Sequence, residues 1–182
     1  GCPGVPFQQQ ANFEVGTRDE GPEINGISYL LERLSFKGTE RRDAKTIVEE
    51  IENVGGHLNA YTTREYTAYF AKVLKDDVPL AVDIIADILQ HSVMDEGELA
   101  REQGVIVQEI NQGHDTPDDM VFDFFQETAF PGQALGRPVL GTAALVESMD
   151  PDALHGYMGG HYSAPNIIFA ASGRVDHAEF AR

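Results

Sequence analysis

Five residues stand out for side-chain types and spacings that could carry chemistry. Tyr29, Glu32 and Arg33 lie in one short apolar stretch, and Glu102 and Glu109 follow later in the chain. Residues four apart share one face of an α-helix, and seven residues make two helical turns, so each set can present its side chains together. Carboxylates placed in this way can serve as general acids or bases, or as metal ligands. A helix with a solvated charged face shows the same spacing, so other parts of the chain must decide between the two interpretations.

The stretch Tyr29-Leu30-Leu31-Glu32-Arg33 has the form of a catalytic zinc helix without its two histidine ligands. The inverted zinc-peptidase motif is His-x-x-Glu-His, with two imidazoles on one helical face and the general base between them. Tyr29 and Arg33 occupy the two histidine positions here. Glu32 keeps the position of the base.

Further motifs follow in a definite order. They are Gly26-Ile27-Ser28, Phe36-Lys37-Gly38-Thr39, Gly55-Gly56-His57-Leu58-Asn59-Ala60-Tyr61-Thr62, Arg101-Glu102, Gln108-Glu109-Ile110, Pro117-Asp118-Asp119, Leu135-Gly136-Arg137-Pro138-Val139-Leu140-Gly141, His161-Tyr162 and Ala164-Pro165-Asn166. This series resembles the N-terminal domain of the pitrilysin and insulinase superfamily of zinc metallopeptidases. The strongest likeness is to its mitochondrial-processing-peptidase branch and the bacterial relatives of that branch, and it covers Val15 to Val175.

The resemblance implies an α+β fold, with helices packed on a mainly antiparallel sheet, which is the half-unit of LuxS-like and processing-peptidase-like metallopeptidases. It implies a single peptidase-like domain over residues 1–182, all or most of the N-terminal domain of a longer protein. In the active members, a later glutamate is the third zinc ligand and a second glutamate seven positions earlier supports it. Those positions are Glu109, which is 109 − 33 = 76 positions after Arg33, and Glu102. The strand Asn59-Ala60-Tyr61-Thr62 is, by the same resemblance, the edge to which a peptide is added as an extra strand.

The residues that remain argue against zinc chemistry. A zinc peptidase needs about three protein ligands and an open position for water. Arg33 cannot bind zinc because a guanidinium has no free lone pair, and Tyr29 could do so only as a phenolate, whose reference pKa is about 10. We therefore expect no cofactor in this chain. We also expect Arg33 to lie within hydrogen-bonding distance of Glu109 or Glu32 and to replace the positive charge of the metal.

Three functions are consistent with these residues. The first is a non-hydrolytic peptide-binding domain, the partner half of a peptidase chamber, with a second peptidase-like domain or subunit. The second is an active zinc metalloendopeptidase with an unconventional or externally completed ligand set. The third is a protein-interaction scaffold that uses only the fold. Zinc content separates the second function from the others, and peptide binding separates the first from the third.

Charge and composition indicate which classes of molecule the chain can bind. The 182 residues include 30 acids and 13 bases, for a formal charge of −17. This charge repels phosphate backbones, so nucleic acid is excluded as a partner and basic peptides are favoured. No apolar run approaches the roughly 18 residues that a membrane helix needs, so we expect a soluble bacterial protein with no membrane contact, cytoplasmic or alternatively periplasmic. Cys2 is the only cysteine, which excludes an internal disulfide.

Periodicity predicts alternating helices and strands, which indicates an α+β architecture. Helices are predicted at 24–34, 43–54, 78–90, 95–112, 118–129 and 152–162, and strands at 58–62, 66–74 and 167–172. Residues 1–10 lack the alternation expected of an opening strand. We interpret them as either a chain end or a divergent edge strand. Residues 15–20 are predicted to form a turn, and residues 130–141 a loop rich in glycine and proline.

Overall fold

An antiparallel sheet carries the domain. Its strands are β1 (Phe7–Phe13), β2 (His57–Thr62), β3 (Thr67–Val73) and β4 (Ile167–Ser172), in the spatial order β2-β3-β1-β4. The computed structural model that shows them describes residues 7–173 and 177–180. β2 and β3 form a hairpin in which Thr62 lies opposite Thr67. This confirms the hairpin predicted around residues 63–65.

Helices connect the strands and supply the remaining layers. They are α1 (Ile27–Leu34), α2 (Ala44–Asn53), α3 (Val78–Gln90), α4 (Glu96–His114), α5 (Pro117–Ala129), α6 (Ala143–Ser148), α7 (Pro151–His161) and α8 (His177–Phe180). The mixture of helices with an antiparallel sheet confirms the predicted α+β class. In the part of the chain that the structure describes, no helix is long and apolar enough to cross a membrane.

The first strand differs from the prediction. β1 lies inside the sheet, because it pairs with β3 on one side and with β4 on the other, so the divergent-edge interpretation was wrong. Its inward residues Ala11 and Phe13 are fully buried. The sequence Phe-Gln-Gln-Gln-Ala-Asn-Phe hides this alternation, because amides fill most of its positions and one inward residue is only an alanine. Residues 1–6, on which the rest of that prediction falls, lie outside the described part.

Helix α1 begins three residues later than predicted. Residues Pro22–Ile24 form a separate 3-10 turn, and Gly26 follows with a φ of +102°. This left-handed conformation is incompatible with continuing a right-handed helix, so α1 starts at Ile27. The short helix α6 and the 3-10 turn Ala134–Gly136 were not predicted, because each is too short for a periodic signal.

A single hydrophobic core fills the space between the sheet and helices α1, α2 and α3. The sheet contributes fully buried residues such as Phe13 and Tyr69, and the helices contribute Leu31, Ile47 and Ile85. Helix α4 packs against α1 at the margin of this core. The packing therefore holds one face of α1 in the core and directs the neighbouring face towards α4.

Candidate functional site

The N-terminus of α1 is held by a buried carboxylate. Glu20, 3% exposed, accepts hydrogen bonds from the backbone N–H of Gly26 at 2.8 Å and of Ser28 at 2.9 Å. These are N–H groups that the first turn of a helix leaves without helical partners, and a negative charge there also complements the helix dipole. The Ser28 hydroxyl in turn contacts the Tyr157 hydroxyl at 3.0 Å. The start of α1 is thus held by a nearby carboxylate and by one distant hydroxyl.

The structure brings Arg33 together with both predicted glutamates. Its Nε donates to Glu102 Oε2 at 2.6 Å and its Nη1 donates to Glu109 Oε1 at 2.9 Å. Glu102 is 5% exposed and lies on the buried side of α4, whereas the Glu109 side chain is 33% exposed. The expected hydrogen bond between Arg33 and Glu109 is confirmed. The bond to Glu102 was not predicted.

Tyr29 completes this group from one turn earlier on α1. Its hydroxyl donates to Glu109 Oε2 at 3.0 Å and accepts from Arg33 Nη1 at 3.4 Å. Burial raises the pKa of Tyr29, and although the Arg33 contact opposes this, the Glu109 carboxylate adds to it. The phenol therefore stays protonated at neutral pH.

Sequence reasoning missed a second cation in the site. Lys37 Nζ lies 2.6 Å from Glu102 Oε1, so both oxygens of this buried carboxylate have a positively charged partner. A partial signal was present, because Lys37 follows Arg33 by four residues, although it lies just beyond α1, which ends at Leu34. Burial alone would raise the pKa of Glu102, but the hydrogen bonds from Lys37 and Arg33 outweigh it, and the pKa is lowered.

Glu32 faces a different neighbour. Its Oε2 accepts a hydrogen bond from the Thr62 hydroxyl at 2.7 Å, and burial raises its pKa more than this bond and the nearby charge of Arg33 lower it. Thr62 is the last residue of β2. The position of the catalytic base therefore lies against the strand predicted to receive a peptide.

That strand is at the edge of the sheet. Among the described residues, β2 pairs only with β3, and its other side has no strand partner. Ala60 is 8% exposed and faces the core, while Tyr61 is 38% exposed. The Ala60 N–H donates to Oδ1 of the adjacent Asn59 at 2.9 Å. The structure thus places Asn59, Ala60, Tyr61 and Thr62 on an edge strand beside Glu32.

A cavity of about 880 Å³ opens next to Glu109. Its walls are the C-terminal half of α4, one face of α5 and the segment 130–143. Apolar side chains, among them Ile110, Met120 and Phe124, line it together with the carboxyl groups of Asp119 and Asp123. The site therefore continues from the carboxylate cluster into a larger concave space.

The sequence matches a known family. The pattern described as Insulinase (Peptidase family M16) matches residues 11–143. This chain belongs to family M16. Among its curated relatives, an uncharacterized zinc protease of Rickettsia bellii is 44% identical over 169 residues, a match that covers 93% of this chain and 41% of that protein. The human mitochondrial-processing peptidase subunit beta is 43% identical over 167 residues, covering 92% and 34%. The M16 chain thus spans about two fifths or less of these relatives.

Solved structures share the M16 fold. A protease from Helicobacter pylori superposes with a TM-score of 0.91 at 22% identity, covering 97% of this chain and 43% of that one. A peptidase M16 inactive domain from Pseudomonas fluorescens gives 0.89 at 15% identity, covering 96% and 43%. The periplasmic protease PqqL from Escherichia coli gives 0.87 at 20%, covering 97% and 20%. At these identities the likeness shows the fold alone, and it confirms the predicted half-unit.

The residues that the resemblance assigns to the metal position do not fit zinc. The guanidinium of Arg33 bonds the two glutamates that the resemblance assigns to the metal site, and it carries a fixed positive charge where a dication would lie. Tyr29 offers a protonated phenol, which is a hydrogen-bond donor here and not a ligand. Within residues 7–173 and 177–180, no group of three or more His, Cys, Asp or Glu side chains is arranged to hold a metal ion.

Proposed function

We propose that this chain is a non-hydrolytic M16 domain that binds extended peptide segments and serves as the partner half of a peptidase chamber. The observation that carries the proposal is the double ion pair of Arg33 with Glu102 and Glu109. Curated relatives of this chain are named zinc proteases, so zinc is typical of the family. In this chain Arg33 supplies the positive charge of the ion, but it cannot bind and activate a water molecule as zinc does.

The loss of hydrolysis follows from what the remaining groups can do. A zinc ion polarises the scissile carbonyl and acidifies a bound water. A guanidinium can donate hydrogen bonds to a carbonyl, but it cannot bind water as a ligand and lower its pKa in that way. Glu32 then has no activated water to accept a proton from. Its hydrogen bond with Thr62 leaves it as a polar group beside the edge strand.

Peptide binding is supported by β2. An edge strand offers main-chain donors and acceptors to an added strand, and this mode tolerates many side-chain sequences. The strand adjoins both Glu32 and, through α1, the Arg33 cluster. Because the chain carries a formal charge of −17, peptides with Lys or Arg should bind better than acidic ones, with affinity falling as salt rises. A second peptidase-like domain or subunit would close the chamber.

Zinc analysis of the purified chain tests the first half of the proposal. We expect less than stoichiometric zinc after dialysis against a weak chelator, measured by elemental analysis. The double variant Tyr29→His with Arg33→His should gain about one zinc per chain, whereas Tyr29→Phe with Arg33→Lys, a control that keeps the charge and adds no ligand, should gain none. One zinc per parent chain would refute the proposal in favour of an active endopeptidase with another ligand set.

Peptide titration tests the second half. We expect a basic extended peptide to bind more tightly than an acidic one of equal length at low salt, and the difference to shrink at high salt. Ala60→Pro removes an N–H from β2 and should weaken binding, because a main-chain donor is lost without any change of charge. Equal binding of the two peptides, or a proline variant that still folds and binds as the parent does, would favour a scaffold role.

A further inference from the structure

Helix α5 is held to the domain by very little burial. None of its 13 residues is buried, although the helix contains several large apolar side chains. Phe122 is 72% exposed and Phe125 65% exposed on its outer face. On the inner face, Met120 and Phe124 line the 880 Å³ cavity and do not close against a core. Hydrophobic contact, which anchors most helices, thus contributes little to its position.

The two ends of α5 are attached to different supports. At its N-terminus a two-residue connection, Asp115 and Thr116, joins it to α4. At its C-terminus the helix meets the 3-10 turn Ala134–Gly136. Gly136 approaches so closely that a Cβ there would lie 2.3 Å from the carbonyl oxygen of Phe130. These attachments fix the ends and leave the middle of α5 to be held by something else.

One ion pair holds the middle. Arg64 Nη2 donates to Asp123 Oδ1 at 2.7 Å, and among the described residues this is the only side-chain hydrogen bond or ion pair that α5 makes. The Arg64 side chain is 21% exposed and that of Asp123 is 47% exposed. A pair of this exposure contributes modestly to stability, so it can open without unfolding the domain.

The arginine of this pair is rigidly presented. Arg64 lies at the tip of the β2–β3 hairpin, and its carbonyl accepts from the Arg18 N–H at 2.8 Å. A Cβ on Gly16 would lie 2.7 Å from that same carbonyl oxygen, so the turn 15–20 packs directly on Arg64. Within residues 7–173 and 177–180, the buried Arg64 Nε has no hydrogen-bond partner. In the same part of the chain, Asp123 is the one group that fixes the guanidinium to α5.

From this arrangement we infer that α5 is a flap over the cavity beside Glu109 and that the Arg64–Asp123 pair is its clasp. When the pair opens, the inner face of α5 moves away from α4 and widens the entrance to the cavity. Carboxyl groups line both walls of this cavity, Glu109 on α4 and Asp119 on α5. Salt weakens a half-exposed pair, so the flap opens more readily as ionic strength rises.

Hydrogen–deuterium exchange of the purified chain, read by mass spectrometry, tests the flap without any ligand. In Arg64→Ala, amides of residues 118–126 should exchange about three- to tenfold faster than in the parent, while amides of α1 and α3 stay unchanged. The matched control is Arg18→Ala, which removes the 2.5 Å pair with Glu65 on the same hairpin and does not touch α5. It should leave α5 exchange as in the parent. The charge-reversed pair Arg64→Asp with Asp123→Arg should restore slow exchange.

The exchange rates of α5 also distinguish this inference from the peptide-binding proposal, on which the function of the flap rests. If Arg64→Ala exchanges like Arg18→Ala, or if all helices accelerate equally, α5 is not a clasped flap, whatever the chain binds. If only α5 accelerates, the flap holds even for a chain that binds no peptide. A single tryptophan from Met120→Trp, at a half-buried position that lines the cavity in a chain with no native tryptophan, gives a second readout. Its quenching by acrylamide should rise in Arg64→Ala, and no rise would contradict the flap.

Discussion

Replacing Arg33 with alanine is the most direct test of how the carboxylate cluster is stabilised. The change removes the hydrogen bond from Nε to Glu102 at 2.6 Å and that from Nη1 to Glu109 at 2.9 Å. Each carboxylate then keeps one partner. Lys37 remains 2.6 Å from Glu102, and the Tyr29 hydroxyl remains 3.0 Å from Glu109.

The size of the effect follows from the burial of these partners. Removing one member of a fully buried ion pair costs about 3–5 kcal/mol, whereas an exposed pair contributes about 0–1 kcal/mol. The Glu102 side chain is 6% exposed and that of Glu109 is 33% exposed, and both retain a partner. We therefore expect a loss of roughly 1–3 kcal/mol in the free energy of unfolding. For a domain of this size that corresponds to a fall in Tm of about 3–10 °C.

Thermal and urea unfolding of the parent and the variant, followed by circular dichroism, measure this loss. Arg101→Ala is the matched control, because the Arg101 side chain is 69% exposed and, in the described part of the chain, pairs only with Glu98 on the same helix. It should cost less than about 0.5 kcal/mol. Arg33→Lys should fall between the two, since it keeps the charge but not the forked pair of donors. An Arg33→Ala variant as stable as Arg101→Ala would refute the view that Arg33 supplies the counter-charge.

Two further changes probe the surroundings of the site. Glu32→Gln should raise Tm at pH 7, because burial raises the pKa of Glu32 in the folded state. The ionised carboxylate therefore opposes folding, and glutamine removes that cost. The gain in Tm should vanish in acid, where the carboxyl group of the parent is protonated in both the folded and the unfolded state. Gly26→Ala should lower the free energy of unfolding by about 2 kcal/mol or more. Its φ is +102° and a Cβ would lie 2.6 Å from the Leu140 carbonyl oxygen; an unchanged urea midpoint would contradict this packing.

The sequence predicted the parts of the fold in which one pattern dominates. Helix α3 has the predicted bounds, Val78–Gln90, because its apolar residues recur at helical spacing and its first turn contains a proline. β4 also has its predicted bounds, 167–172. The prediction for β1 was wrong because an interior strand is defined by pairing along both of its edges. That pairing depends on strands about sixty and one hundred and sixty residues away in the sequence.

The contacts of the candidate site were likewise predicted only in part. The resemblance placed Glu109 at the metal position, and the prediction that Arg33 lies within hydrogen-bonding distance of Glu109 or Glu32 is confirmed for Glu109. The partners of Glu32 and Asp123 were not predicted. Thr62 and Arg64 stand at the end of β2 and just beyond it, and only the folding of the hairpin against α1 and α5 brings them there. Periodicity along one element cannot report such cross-element geometry.

Burial and the unequal pairing with cations account for the opposite pKa shifts of two glutamates on facing helices. Three carboxylates, Glu32, Glu102 and Glu109, face two cations, Arg33 and Lys37, so the cluster retains a formal charge of 2 − 3 = −1. Both cations pair with Glu102, and its pKa falls. Burial acts most strongly on Glu32, whose hydrogen-bond partner among the described residues is Thr62, and its pKa rises. If a guanidinium replaces the metal, Glu32 is the carboxyl group of the cluster that is hydrogen-bonded to Thr62 and to neither cation. It lies beside the edge strand where a basic peptide would be bound.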